Sequence, residues 1–246
     1  MILSIIIVGR NDNYGERFLE RTQCCIDNIF TLAPQHKLDG ELILVEWNPP
    51  ADRPTMDQAI DWKNATIPTR VIRVPRSIHA KFERSNTFNL FEYTAKNVGI
   101  RRSKGKFVLV INADILLSSD MIAFLAGDKL EEGNFYRAIR EPHLPQGTGL
   151  YFGASGDFLM MSRNKWETIK GYPEVSHNAH VDSSGVHYAD LAGLRQVILQ
   201  QKIIHMPHKC DRAGLYEPIW DAWPPQNIHE SWGFRDSPEI IEIRIL

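Results

Sequence analysis

The sequence predicts an open α/β fold with a mostly parallel central sheet, on three observations. Largely apolar, β-branched-rich runs occur at residues 2–8, 42–45, 71–74 and 107–111, interrupted only by Ser4 and Arg73 and without the polar alternation of a sheet exposed on one face. Segments of helical period lie between them, so strands and helices alternate as in right-handed βαβ units. The last run stops abruptly at Asn112-Ala113-Asp114. Two oxygen-bearing side chains then stand at the carboxyl end of a buried strand, where open α/β sheets bind their ligands. A carboxylate buried there is costly unless a cation or hydrogen bonds meet it, and a divalent metal with a phosphorylated ligand supplies both.

Taken in order, residues 2–8 form the first strand and Gly9-Arg10-Asn11-Asp12-Asn13 its polar loop. The spacing of Phe18, Cys25, Ile29 and Leu32 predicts a helix over residues 18–32, with Pro34 just beyond its end. The second strand ends at Glu46-Trp47-Asn48-Pro49-Pro50 and the third is stopped by Pro75. Residues 78–89 carry no clean period and read as loop. A helix over 91–102 with Gly105 as its stop leads to the strand at 107–111. From Asn134 the apolar pieces shorten. Strands are expected at 135–139 and 158–161, helices near Trp166 and over 191–200, and a final strand piece at Ile203-Ile204. Ser162 is placed to cap the helix that buries Trp166. The expected organisation is one domain, 1–246, whose first half (1–117) is of nucleotide-binding type and whose second half (118–246) is elaborated.

The 246 residues suffice for a large core, and a formal net charge of -2 leaves no nucleic-acid footprint. Arg101, Arg102, Lys104 and Lys106 cluster locally; they suit either a solvated helix end or a diphosphate contact. The cysteine count of three, with Cys24 and Cys25 adjacent, makes neither a disulfide framework nor a metal knuckle. It fits a reducing, cytoplasmic setting. The apolar start reads as a strand and not a secretory leader, and no apolar run is long enough to span a bilayer.

Other candidate constellations follow the Asn112-x-Asp114 pair. In His205-Met206-Pro207-His208 the proline ends a strand at His205, so that both imidazoles can approach one point as metal ligands; one core and one surface histidine is the plain alternative. In His180-Val181-Asp182, an extended chain would put both polar side chains on one face, suiting Asp182 as a general base; a capping aspartate is the alternative. Asp157 opens the strand at 158–161.

These pieces, in their order and spacing from Ile2 to about Gly214, resemble the family 2 type of nucleotide-sugar glycosyltransferases with the GT-A fold, a three-layer α/β/α sandwich. The resemblance rests on the first strand and its loop, Leu42-Ile-Leu-Val-Glu46, Ala95-Lys-Asn97-Val-Gly99-Ile-Arg101, the Asn112-Ala113-Asp114 variant of an Asp-x-Asp motif, Gly156-Asp157-Phe158, Gly171-Tyr-Pro-Glu174, His180-Val-Asp182-Ser183 and Ile204-His205-x-x-His208. It implies a nucleoside diphosphate sugar donor, UDP- or GDP-linked, and a carbohydrate or other hydroxyl acceptor. Gly9, Arg10, Asn11 and Glu46 would hold base and ribose. Asn97, Arg101, Asn112 and Ala113 would belong to the same donor-binding surface. Asp114 would bind the metal, Mn²⁺ or Mg²⁺, with His208 and His205 completing the shell. Asp182, beside His180, would stand in the region of the catalytic base of inverting members, with His187 and Asp190 as neighbouring competitors. Two departures stand out: Asn112 replaces the first Asp of the motif, and the usual Glu-Asp base motif is absent. A nucleotidyltransferase making nucleotide sugars is one rival reading, although the loop after the first strand is poor in glycine. A non-catalytic nucleotide- or sugar-binding module is another. Finally, Trp220, Trp223 and Trp232 predict that residues 216–234 fold over the carboxyl edge of the sheet near the acceptor side.

Overall fold

The structure is a computed structural model that describes residues 1–142, 149–151, 155–209 and 223–246. The strands are β1 (Leu3–Gly9), β2 (Gly40–Trp47), β3 (Thr69–Val74), β4 (Phe107–Ile111), β5 (Ile115–Leu117), β6 (Asn134–Glu141), β7 (Phe158–Ser162), β8 (Arg195–His205) and β9 (Ile241–Arg244). The helices are α1 (Phe18–Gln35), α2 (Met56–Ala59), α3 (Arg76–His79), α4 (Glu92–Arg102), α5 (Ser119–Ala126), α6 (Arg163–Ile169) and α7 (Val181–Leu191).

One nine-stranded sheet runs β5-β8-β6-β7-β4-β1-β2-β3-β9. The block β4-β1-β2-β3 is parallel, as the largely apolar runs predict. Beyond β4 the sheet is mixed: β7 is antiparallel to β4 and β6, β8 is parallel to β6, and β5 is antiparallel to β8. Side chains alternate between two apolar layers. Ile5, Ile7, Leu44 and Leu109 meet α1 and α5 on one face; Ile6, Val45, Val108 and Val110 meet α4, α6 and α7 on the other. Gly99 lets α4 lie close to the sheet, since a Cβ there would stand 2.6 Å from Ile6 Cγ2. Ser162 Oγ accepts from the Lys165 amide at 3.3 Å, and Trp166 is fully buried, as its capping signal predicts.

Four expectations are corrected. Residues 191–200 are not a helix: α7 ends at Leu191, Gly193 turns the chain at φ +77°, and β8 begins at Arg195. Helix α1 runs on to Gln35 with Pro34 in its last turn. The short helix α3 (Arg76–His79) runs into the start of the expected loop, and β9, an edge strand antiparallel to β3, went unpredicted. The described part of the tail packs on the helical layer and not over the carboxyl edge. Trp232 is buried with its ring 4.7 Å from the Arg101 guanidinium carbon, and Arg102 donates to the Gly233 and Phe234 carbonyls at 2.8 and 2.6 Å. Trp223 stacks on His187 with centroids 4.8 Å apart, while Tyr216 and Trp220 lie outside the described residues.

Candidate active site

At the carboxyl ends of β1 and β4 opens a cleft of about 410 Å³. Its floor is Asn112, Ala113 and Asp114, which follow β4, and its walls come from α7, β7 and the segment after β8. Backbone pairing explains why the histidines meet Asp114. Strand β5 starts at Ile115 and pairs antiparallel with β8 in the register Ile115↔His205. The Met206 amide then donates to the Asp114 carbonyl at 3.0 Å. His205 Nε2 lies 3.7 Å from Asp114 Oδ1, and His208 Nε2 lies 3.2 Å from Oδ2. One ligand atom from each of the three residues falls within 4.8 Å of the others.

This group fits a divalent cation on its own chemistry. His208 Nδ1 donates to the Lys209 carbonyl at 2.9 Å, which fixes the ring and turns Nε2 toward the carboxylate. Asp114 Oδ1 is buried without a hydrogen-bond partner. Burial alone would raise the Asp114 carboxyl, but the hydrogen bond from His208 and the charges of His205, His208 and Arg21 hold it below its usual range. Burial lowers His205, whereas the hydrogen bond to Asp114 raises His208.

Asn112 lines the cleft in a different role. The β4–β7 register, Ile111↔Phe158, sets it beside Asp157. Its Nδ2 donates to Asp157 Oδ1 at 2.9 Å and its Oδ1 accepts from Lys96 Nζ at 2.8 Å. An aspartate here would turn a donor into a second carboxylate against Asp157, which accounts for the amide at this position of the motif. Arg140 on β6 donates to Asp157 Oδ2 at 2.9 Å. Burial pushes the Asp157 carboxyl up to about 6, in spite of Arg140.

Asp182 and His180 also line the cleft, but on a helix start and not on extended chain. His180 takes the left-handed conformation at φ +60°, and Asp182 sits in the first turn of α7. A Cβ on Gly156 would stand 2.6 Å from the Tyr93 hydroxyl, so glycine there makes room for Tyr93, with the Asp182 carboxylate in ordinary contact at 3.7 Å. Burial, followed by the charge of Asp182, holds the Tyr93 and Tyr172 hydroxyls well above their usual range. His187 and Asp190 do not line the cleft; His187 stacks on Trp223.

The other expected donor-binding residues divide. Gly9, Arg10, Asn11 and Glu46 gather at the adjoining carboxyl ends of β1 and β2, outside the lining of the cleft. Arg10 Nε donates to the Asn48 carbonyl at 2.6 Å and Asn11 Nδ2 to that of Pro54 at 2.8 Å. Glu46 is fully buried, accepting from the Met56 amide at 2.9 Å and from Arg73 at 3.3 Å, and burial raises its carboxyl. Asn97 and Arg101 belong elsewhere. Asn97 spends its amide on the Tyr172 backbone, at 2.8 Å in both directions, and on Glu174 at 3.0 Å. Arg101 pairs with Glu167 and Arg102 clamps the tail, so these two of the basic cluster serve packing, whereas Lys104 and Lys106 are exposed and solvated, Lys106 facing Glu132 at 2.9 Å. Sequence reading missed Tyr14, Lys96 and Arg140 in the cleft region, and Arg21. The last is buried on α1 with Nε 3.7 Å from Asp114 Oδ2. Of these only Lys96 lay within a recognised motif, and Asp157 carried a signal as a strand opener.

No protein-family model matches the sequence, and no curated protein matches it. Solved structures do match. S. aureus TarS is similar at 14% identity and TM-score 0.55, over 84% of this chain and 37% of that one. TarS 1-349 in complex with UDP-GlcNAc gives 12% identity and TM-score 0.55, over 88% and 62%. The catalytic domain of Drosophila β1,4-galactosyltransferase 7 in complex with xylobiose gives 12% identity and TM-score 0.51, over 90% and 76%. The chain thus spans little more than a third of the length of the TarS chain. These neighbours are glycosyltransferases of GT-A type, and at such identities the likeness establishes the fold: a GT-A type α/β sandwich around a mixed sheet. Among the described residues no helix is long and apolar enough to cross a membrane.

Proposed function

We propose that the protein is a metal-dependent, inverting glycosyltransferase that moves a sugar from a UDP- or GDP-linked donor to a hydroxyl of a carbohydrate or other acceptor. The observation that carries this reading is one cleft holding a three-residue metal-ligand group, Asp114, His205 and His208, together with the separate carboxylate Asp182. The GT-A neighbours, one with UDP-GlcNAc and one with xylobiose, support it. A cation held by Asp114, His205 and His208 would supply Lewis acidity and neutralise charge on a departing diphosphate. Carboxylate and imidazole together suit Mn²⁺ at least as well as Mg²⁺. Asp182 accepts the proton of the acceptor hydroxyl as that oxygen attacks the anomeric carbon, and in-line attack inverts its configuration. Asp157 is held by Arg140 and Asn112 and serves the floor of the cleft, not proton transfer.

The test is metal-dependent release of nucleoside diphosphate by purified protein, with UDP- and GDP-sugars, in Mn²⁺, Mg²⁺ or EDTA. Calorimetric titration of UDP and GDP, with and without Mn²⁺, accompanies it. Asp114→Ala should lose the metal-dependent part of nucleotide binding while its thermal unfolding stays cooperative. Unchanged metal-dependent affinity in that variant would remove Asp114 from the metal shell, and release of pyrophosphate from a nucleoside triphosphate would favour a nucleotidyltransferase.

A further inference from the structure

Arg21 is a buried cation beside a carboxylate that the reading above gives to a metal. Its guanidinium is fixed. Nη2 donates to the Tyr14 carbonyl at 2.9 Å, and Nη1 to the carbonyls of Glu16 and, at 3.3 Å, Gly15. The loop that supplies these carbonyls turns with Asn13, Gly15, Glu16 and Arg17 all in the left-handed region. It also rests on the metal-ligand group: a Cβ on Gly15 would stand 2.7 Å from His208 Nδ1, and the Tyr14 ring lies 5.7 Å from that of His208. Arg21 is thereby tethered at both Nη atoms by backbone carbonyls. Its remaining nitrogen, Nε, is buried without a hydrogen-bond partner and faces Asp114 Oδ2 at 3.7 Å.

Of the three ligands only Asp114 carries a negative charge, since imidazoles bind metals in the neutral form. Arg21 cancels it. Of the other carboxylates lining the cleft, Asp157 is matched by Arg140 at 2.9 Å and Glu92 by Lys96 at 2.6 Å, and Asp182 is not among the charges that act on Asp114. A dication arriving alone meets, at Asp114 itself, a carboxylate whose charge is already balanced, in a buried site where an uncompensated charge is costly. A diphosphate brings the missing negative charge, and small divalent cations are commonly held by one or two carboxylates plus substrate phosphates.

We propose that Arg21 is a fixed counter-charge that makes cation binding at Asp114 conditional on the diphosphate, so that metal and donor enter as a pair. Arg21 is a positioning residue in this scheme, acting through Asp114. The proposal rests on the glycosyltransferase reading and deepens it.

The experiment measures Mn²⁺ binding by the loss of the free-ion electron paramagnetic resonance signal, with Mn²⁺ alone and with saturating UDP or GDP. Wild-type protein should bind Mn²⁺ weakly alone and much more tightly with one of the nucleotides. Arg21→Met and Arg21→Gln should each tighten binding of Mn²⁺ alone by about tenfold, as expected for removing one full charge a few ångströms away, and shrink the nucleotide enhancement by a similar factor. The glutamine variant keeps a donor for the loop carbonyls and guards against loss of folding in the methionine variant. Arg21→Lys, which keeps the charge but not the fork, should stay near wild type. Unchanged or weaker binding of Mn²⁺ alone in the folded neutral variants overturns the counter-charge and leaves the glycosyltransferase reading intact. So does an Arg21→Lys variant that behaves like them. Absence of Mn²⁺ binding by wild type, with or without nucleotide, overturns both.

Discussion

His208 and His205 hold unequal places around Asp114, and the difference is measurable. His208 is fixed by its Nδ1 bond to Lys209 and stands 3.2 Å from the carboxylate, whereas His205 stands at 3.7 Å. His208→Ala should raise the Mn²⁺ concentration needed for half-maximal nucleotide binding by at least tenfold, and His205→Ala by less. If neither shifts it, both imidazoles lie outside the metal shell. Asp182→Asn keeps shape but removes the proton acceptor, so transfer to a hydroxyl acceptor should fall by about a hundredfold or more, with nucleotide and metal affinity nearly unchanged. Asp157→Asn is the informative control, because Asp157 is the other carboxylate of that wall. Near-normal turnover in Asp182→Asn with collapse in Asp157→Asn would move the base to Asp157. At this scale the sequence was legible where a polar residue interrupts an apolar run, as at Asp114 and His205. It was silent on Arg21 and Arg140, whose partners stand 93 and 17 residues away in sequence and meet them only through helix packing and strand register.

Elements of the parallel block were legible from their apolar runs, and β4 falls on residues 107–111 as read; β2 and β3 were read short, at 42–45 and 71–74, because the buried polar residues Glu41, Glu46, Thr69 and Arg70 stand at their ends. The second half was harder. In residues 194–204 the apolar side chains of Leu194, Val197, Ile198, Leu199, Ile203 and Ile204 satisfy a helical spacing as well as a strand, and the β-bulge near Ala138/Ile139 in the β6–β8 pair blurs the two-residue period further. The only local discriminator was Gly193, whose left-handed turn separates α7 from β8. The short β9 carries the apolar–charged alternation of a strand in Ile241-Glu242-Ile243-Arg244-Ile245, a signal that sequence reading missed, and it pairs beside β3. Asn97 shows how a motif residue can belong to the scaffold: it fastens α4 to the turn at Tyr172 and to Glu174, whose other partner is the Gly233 amide at 2.7 Å. Asn97→Ala strands a buried amide and weakens the hold on a buried carboxyl, at a cost of about 2–3 kcal/mol in urea unfolding. Nucleotide affinity of the folded variant should be unchanged; a fall in that affinity would return Asn97 to the donor site.

Across the molecule, the buried carboxyls set how stability answers to pH. Burial raises Glu46, Asp157 and Glu174, while the His208 bond and the neighbouring positive charges, working against burial, lower Asp114. A carboxyl that is raised on folding binds its proton more tightly in the folded chain than in the unfolded one. Its contribution to stability is therefore fully present below the ordinary carboxylate range and is lost as pH rises through the folded value. For Asp157 that window runs from its usual 3.8 to about 6. Asp114 acts in the opposite sense, favouring the folded chain above the ordinary range and losing that contribution in stronger acid. Between these limits the three raised carboxyls pull the melting temperature down as pH rises from about 4.5 to 6.5, against His79 and His205, whose imidazoles burial holds below their usual range and which pull it up. Asp157→Asn removes the largest contribution resolved in value, on the order of 1–3 kcal/mol, and should visibly reduce that downward pull. The same variant keeps a partner for Arg140 through the amide oxygen, so its fold should persist at neutral pH. Calorimetric scans of both proteins across this interval decide the matter. An identical slope in the two proteins would mean that Asp157 is ionised throughout and that Arg140 outweighs burial at the floor of the cleft.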